Sequence, residues 1–119
     1  MNQKQTIGKI GEIAIAEYLI KLGFTILDRN WRTKGGELDL VAKSPVGNVH
    51  FIEVKTRSSL AFGHPLEAID REKAHRLQKL SQAWLVTNKH FGADYQVDVA
   101  AVTLSRTLQP TIDYRAGVL

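Results

Sequence analysis

Three observations predict an α/β domain built on a small mixed β-sheet flanked by helices. Apolar residues recur at helical spacing in two separate stretches, and polar and apolar residues alternate in two closely spaced runs between them. No repeat, low-complexity tract or Pro/Gly/Ser linker divides the 119 residues. A chain of this length fits one compact core, so residues 1–119 are read as a single domain. Hydrophobic residues make up 44% and charged residues 24%, an ordinary globular mix that argues against wholesale disorder.

The first helix runs from about Thr6 to Leu22, where Ile7, Ala14, Tyr18 and Leu22 fall on one stripe with Ile15 and Leu19 alongside; Gly23 is placed to end it. Gly8 and Gly11 inside it each cost about 1 kcal/mol relative to alanine, which fits close approach by another backbone or a ligand. For Gly8 a frayed first turn serves equally well. Phe24 to Asn30 reads as a short strand, and Trp31-Arg32-Thr33-Lys34-Gly35-Gly36 as a loop. The period then changes to two in Glu37 to Ala42 and again in Val49 to Lys55, separated by Ser44-Pro45-Val46-Gly47-Asn48, a hairpin signal. Arg57 to Pro65 reads as loop. Ala74, Leu77, Leu80 and Trp84 mark a second helix that ends near Asn88 and starts either at Pro65 or at an Asp70 cap. Tyr95 to Leu104 is β-rich, so the expected order is helix, three strands, helix, strand.

Composition removes several chemistries. With no cysteine, disulfides, thiolate zinc sites and cysteine nucleophiles are excluded. Ser58 and Ser59 have no evident histidine and acid partners for a triad. His50, His64, His75 and His90 lack metal-ligand spacing and read as structural or surface residues. The longest apolar stretch, Ile13 to Leu22, is interrupted by Glu17 and Lys21, so neither a membrane span nor a signal peptide is expected and a cytoplasmic location follows by default.

Pairing Lys43 with Val49 across the hairpin loop places Asp39 opposite Glu53 and Glu37 opposite Lys55, all on one face; a slip of one residue would send one strand's acids to the other side. Opposed carboxylates on a half-buried sheet are destabilising unless something positive sits between them. A divalent cation is the natural candidate, and oxygen-only ligands fit Mg²⁺ or Mn²⁺ better than zinc. Such an ion leaves room for a phosphate oxygen and assists deprotonation of an attacking water, which Lys55 on the same face could orient. Acid and base alternating along a strand fit an ordinary solvated surface as well. Glu12 lies at the border of the helix's apolar arc, so it either bends out to solvent or joins the hairpin acids.

Gly8-x-x-Gly11-Glu12, Arg29-Asn30-Trp31-Arg32, Gly36-Glu37-Leu38-Asp39-Leu40-Val41, Phe51-Ile52-Glu53-Val54-Lys55-Thr56-Arg57 and Lys73 together resemble the YraN-like family (UPF0102) over about residues 7–104. The resemblance implies a restriction-endonuclease-like PD-(D/E)XK core, distantly similar to archaeal Holliday junction resolvases. It implies a nuclease in which Asp39 and Glu53 hold the metal, Lys55 serves the attacking water and Glu12 supplements the acidic cluster. Two departures from the family pattern stand out. Gln96-Val97-Asp98 replaces an expected Arg-Phe-Asp, altering either a phosphate contact or a structural ion pair, and the tail Asp113-Tyr114-Arg115-Ala116 follows the usual ending only loosely.

Sixteen basic residues against twelve acidic ones give a net charge of +4, and setting aside Glu12, Glu37, Asp39, Glu53 and Lys55 leaves +7 around a local acidic hole. That distribution suits a polyanion cut at a metal. Candidate phosphate contacts are Arg29, Arg32, Lys34, Arg57, Arg71, Lys73, Arg76 and Lys79, although any one alone is an ordinary solvated charge. Lys73 interrupts an apolar stripe and either snorkels or points at the site. Trp31 either stacks on a base or belongs to the core. The expected function is a Mg²⁺- or Mn²⁺-dependent endonuclease acting on nucleic acid, DNA and its branched forms foremost, with no membrane partner. The alternative is a non-catalytic nucleic-acid-binding module that keeps the fold. A symmetric cut of a four-way junction would require two sites, which makes a homodimer an expectation of the resemblance.

Overall fold

In the computed structural model, which describes residues 3–58, 70–105 and 109–118, the chain runs α1 (Gln3–Lys21), β1 (Thr25–Thr33), β2 (Gly36–Lys43), β3 (Val49–Arg57), α2 (Arg71–Thr87), β4 (Tyr95–Leu104) and β5 (Pro110–Arg115). The strands form one sheet in the order β1-β2-β3-β4-β5. Short turns join the antiparallel pairs β1/β2 and β2/β3, whereas β3 and β4, separated by α2, lie parallel. The predicted α/β class and the order helix, three strands, helix, strand are both present, with β5 added antiparallel to β4.

Helix ends follow local chemistry. Past α1, Gly23 adopts φ +91°, its N–H donates to Ile20 O and the Phe24 N–H donates to Leu19 O, each at 3.0 Å, a Schellman closure. At α2 the Asp70 side chain accepts from Lys73 N at 2.8 Å, so the helix starts at the Asp70 cap; Pro65, with the rest of the expected loop beyond Ser58, lies outside the described residues.

The two helices cover opposite faces of the sheet. Ile15, Ala16 and Leu19 of α1 pack on Leu40, Ala42, Ile52, Ala100 and Val102. Leu77, Leu80, Trp84 and Leu85 of α2 pack on Leu38, Val41, Val49, Phe51 and Val97. Each such fully buried large side chain contributes about 1.5–3 kcal/mol, and the central strands are apolar on both sides as that burial requires.

Three expectations are corrected. The buried stripe of α1 is Gly11, Ile15 and Leu19, while Leu22 is 54% and Tyr18 36% exposed. The helix is apolar nearly all round, so spacing alone could not choose its inner face. What chooses it is Gly11: a Cβ there would lie 1.7 Å from Thr56 Oγ1, so only glycine admits the close approach of α1 to β3. Gly8, with open space around it, has no such role. Second, the segment read as a loop over residues 31–36 is strand on both sides of a tight Lys34-Gly35 turn, with Trp31 paired to Leu38. Third, the β5 strand was not expected: its run is short and polar, and Ile112 and Tyr114 supply its apolar contacts to the α1 side.

Candidate active site at the fork of two strands

The β2/β3 ladder has the expected register from Lys43/Val49 to Leu40/Ile52, and there it stops. The expected oppositions of Asp39 with Glu53 and of Glu37 with Lys55 are not part of it. Glu37 instead pairs with Arg32 of β1. The first β3 amide beyond the fork with a described side-chain acceptor, Val54 N–H, donates to Asp39 Oδ2 at 2.8 Å. A side chain thus takes over from the neighbouring strand and leaves a wedge between β2 and β3.

The β1 strand adds a second irregularity at the same level. Asp28, whose Oδ2 accepts from Trp84 Nε1 at 3.0 Å, and Trp31 both face α2 although three residues apart, and so do their partners Val41 and Leu38. Between these two pairs the in/out alternation therefore slips once in both strands without a change of register, the ladder's own register shift lying earlier, between Ile26 and Asp28. Between those pairs fall Asn30 and Asp39, and Asn30 has φ +52°, a left-handed conformation that asparagine tolerates better than most residues.

The slip gathers carboxylates from three elements. Among the described residues, ligand oxygens of Glu12 (α1), Glu37 and Asp39 (β2) lie within 4.8 Å of one another. Asn30 Nδ2 donates to Glu12 Oε1 and to Glu37 Oε1, both at 2.9 Å, and Lys9 Nζ donates to Asn30 Oδ1 at 3.1 Å. Arg32 Nε holds Glu37 Oε2 at 2.9 Å. On the β3 side of the wedge, Glu53 is buried, its Oε1 lying 3.0 Å from Lys73 Nζ and 3.4 Å from Lys55 Nζ.

Electrostatics follow the crowding. Burial, then Glu53, Glu12 and Glu37, push the Asp39 pKa up to about 7, against the Val54 hydrogen bond, which lowers it. Burial and the adjoining Lys73 push the Lys55 pKa below its ordinary value, with Glu53 acting in the opposite direction. The site holds more negative charge than its own cations neutralise on the Glu12/Glu37/Asp39 side, and two ammonium groups around one carboxylate on the other.

Of the sequence-derived residues, Glu12, Asp39, Glu53 and Lys55 all come to this fork. Glu12 turns into the cluster rather than out to solvent. Glu53 is held by lysines, and the acid that joins Glu12 and Asp39 at ligand spacing is Glu37. Lys73 points at the site rather than snorkelling. Arg76 lies along the β1/β2 turn, its Cδ 3.6 Å from where a Gly36 Cβ would stand, and Lys34 is exposed on that turn. Arg57 is half-buried at the end of β3, while Arg29, Arg32, Arg71 and Lys79 are exposed. Trp31 is half-buried and packs against the α2 core, as the second of its two readings expects. Asn30 carried no role in the sequence, where it closed the expected strand inside the Arg29-Asn30-Trp31-Arg32 motif; only the structure continues the strand past it to Thr33.

The histidines and Gln96 belong elsewhere. Asp98, fully buried, accepts from Gln96 Nε2 at 2.8 Å, Gly117 N at 2.7 Å and Tyr114 OH, and lies 2.7 Å from His50 Nδ1. Gln96 thus belongs to the network around the buried Asp98. His90 packs on Trp84, His75 is exposed, and His64 lies outside the described residues.

Among known proteins, the chain is 44% identical over 110 residues to a UPF0102 protein of Trichlorobacter lovleyi, covering 92% of this chain and 87% of that one. It is 42% identical over 118 residues to a UPF0102 protein of Beutenbergia cavernae, covering 99% of both. A solved structure, a repair endonuclease from Pyrococcus abyssi, aligns with a TM-score of 0.43 and 18% identity over 80% of this chain and 38% of that one. The model of the family described as Uncharacterised protein family UPF0102 matches residues 11–102, and the chain belongs to that family.

Proposed function

We propose that the protein is a metal-dependent endonuclease that hydrolyses phosphodiester bonds in nucleic acid, with DNA, including branched DNA, as its substrate. The observation that carries this reading is the convergence of Glu12, Glu37 and Asp39 within 4.8 Å beside a Glu53 held by Lys55 and Lys73. The donor set fits Mg²⁺ or Mn²⁺: it is all oxygen, and Asp39 is pushed toward protonation by neighbours whose charge a cation would relieve. Asp39 with Glu12 and Glu37 would hold the ion, and Glu53 lies across the wedge from them. When bound, the ion supplies Lewis-acid neutralisation of phosphate charge and eases deprotonation of water.

The remaining roles fall to the chain's own groups. Lys55, with its lowered pKa and its Nζ at the mouth of the wedge, orients the attacking water and receives or shares its proton. Lys73, charged against Glu53, fixes that carboxylate and adds positive potential for the phosphate. Lys34 and Arg76 flank the β1/β2 turn, where they contact the backbone of the substrate.

Cleavage of labelled single-stranded, duplex, flapped and four-way-junction DNA and of RNA, with Mg²⁺ or Mn²⁺ and alongside Lys55→Ala, tests the proposal. Metal-dependent cutting by the wild type that falls at least a hundredfold in the variant, with binding retained, is the expected result. Salt-sensitive binding without cutting of any substrate would instead identify a binding module that keeps the fold.

A further inference from the structure

The two halves of the acidic cluster come from elements that share no backbone hydrogen bonds: Glu12 from α1, Glu37 from β2. One side chain joins them. Asn30 Nδ2 donates to Glu12 Oε1 and to Glu37 Oε1 at 2.9 Å each, using both N–H groups of its amide, while its Oδ1 accepts from Lys9 Nζ at 3.1 Å. All the amide's hydrogen atoms are spent on the two carboxylates, and its oxygen is tied back to α1. The left-handed φ of +52° lies where the strand alternation slips, and this turn of the backbone is what brings the amide between the acids.

Resting on the proposed metal-dependent reading, we infer that Asn30 is a positioning residue for the cation: its amide fixes the spacing of the Glu12 and Glu37 carboxylates and so presets the site that receives a divalent ion. Two carboxylates at this spacing repel, and without the bridging donor Glu12 would turn to solvent at little cost while Glu37 would keep only its ion pair with the exposed Arg32. The amide holds them converged while adding no charge, so the site keeps its full attraction for the cation. A lysine or arginine in its place would satisfy the same oxygens but would compete with the metal. Preorganisation of this kind reduces the side-chain entropy that binding would otherwise have to overcome.

The test is Mn²⁺ binding followed by electron paramagnetic resonance, with DNA cleavage measured in parallel. Asn30→Gly keeps a residue that accepts positive φ and removes only the amide. It is expected to lower Mn²⁺ affinity fivefold or more. On a Glu37→Gln background the same change is expected to add little, because its effect acts through that carboxylate. Asn30→Ser, also neutral, leaves one short hydroxyl that cannot bridge both carboxylates and is expected to weaken Mn²⁺ binding in the same direction, so it serves if Asn30→Gly does not fold. Affinity unchanged in whichever variant folds, or losses that multiply fully with Glu37→Gln, overturns the inference. Asn30-dependent Mn²⁺ binding by a wild type that cuts nothing leaves the inference standing and removes the proposed function. A wild type that cuts, with both affinity and cutting untouched by Asn30→Gly, removes the inference alone, and a wild type that binds no Mn²⁺ removes both.

Discussion

At Asp39 burial and then Glu53 oppose ionisation, with Glu12 and Glu37 adding to them, and the folded pKa of about 7 stands well above the ordinary 3.8. The folded state therefore retains a proton that the unfolded chain releases. This contribution to stability is fully present below about pH 4 and is lost as pH rises through about 7. In EDTA the Tm of the wild type is expected to decline across that window, and Asp39→Asn is expected to flatten the decline and raise Tm at pH 8 by several degrees. An equal slope in both proteins would mean that Asp39 is not the titrating group. Mg²⁺ should raise the wild-type Tm at pH 8 and leave the Asp39→Asn variant unmoved. Gly11 is a second residue whose surroundings leave little choice, since a Cβ would meet Thr56 Oγ1, itself buried and without a hydrogen-bond partner among the described residues. Gly11→Ala is expected to cost about 1–3 kcal/mol by denaturant unfolding, and Thr56→Ala in the same chain should recover only part of it, because it removes Oγ1 but keeps the Thr56 Cβ, 2.8 Å from where the new methyl would stand. Glycine at this position was visible in the sequence as an expense inside a helix; the partner that justifies it was not.

Among the elements, β5 depends most on a contact made far along the chain. Its Tyr114 hydroxyl donates to Asp98, and just beyond the strand the Gly117 N–H donates to the same carboxylate, so the last strand is pinned to β4 by a buried acid as well as by its ladder. Burial and Asp98 both push the Tyr114 pKa up, which keeps the hydroxyl a donor throughout the working range of pH. Tyr114→Phe removes one donor from a fully buried carboxylate and should lower stability by about 1–3 kcal/mol while leaving DNA cleavage per folded molecule unchanged. A loss of cleavage in folded Tyr114→Phe would show that the network reaches the site. Gln96 fits the same element: two residues from Asp98 on β4, it supplies a neutral donor where an arginine was expected. The strand β5 escaped the sequence reading because an edge strand buries only one side, and two apolar residues in six give no period to detect.

Over the whole molecule, positive charge from three parts of the chain borders the acidic wedge: Lys34 and Arg32 from the β1/β2 hairpin, Arg76 and Lys73 from α2, and Lys55 from β3. Binding to DNA is expected to weaken steeply with salt, and Arg76→Ala or Lys34→Ala should each lower the slope of log affinity against log salt by about one without changing which substrate is preferred. A slope insensitive to either change would place the DNA elsewhere. No helix among the described residues is long and apolar enough to cross a membrane. The sequence by itself determined the α/β class, the hairpin register down to Leu40 and Ile52, and the presence of Glu12, Asp39, Glu53 and Lys55 in one chain of motifs, because periodicity and turn chemistry are local and are written in consecutive residues. Only the tertiary structure decided which face of α1 is buried, that β2 and β3 part after Leu40, that Glu37 joins Glu12 and Asp39 at ligand spacing while Glu53 is held by Lys55 and Lys73, and that Asn30 and Lys73 reach the site. Each of those depends on where α1, β1 and α2 meet at the fork, and distances between elements remote in sequence are set by packing of the two apolar cores rather than by any local pattern.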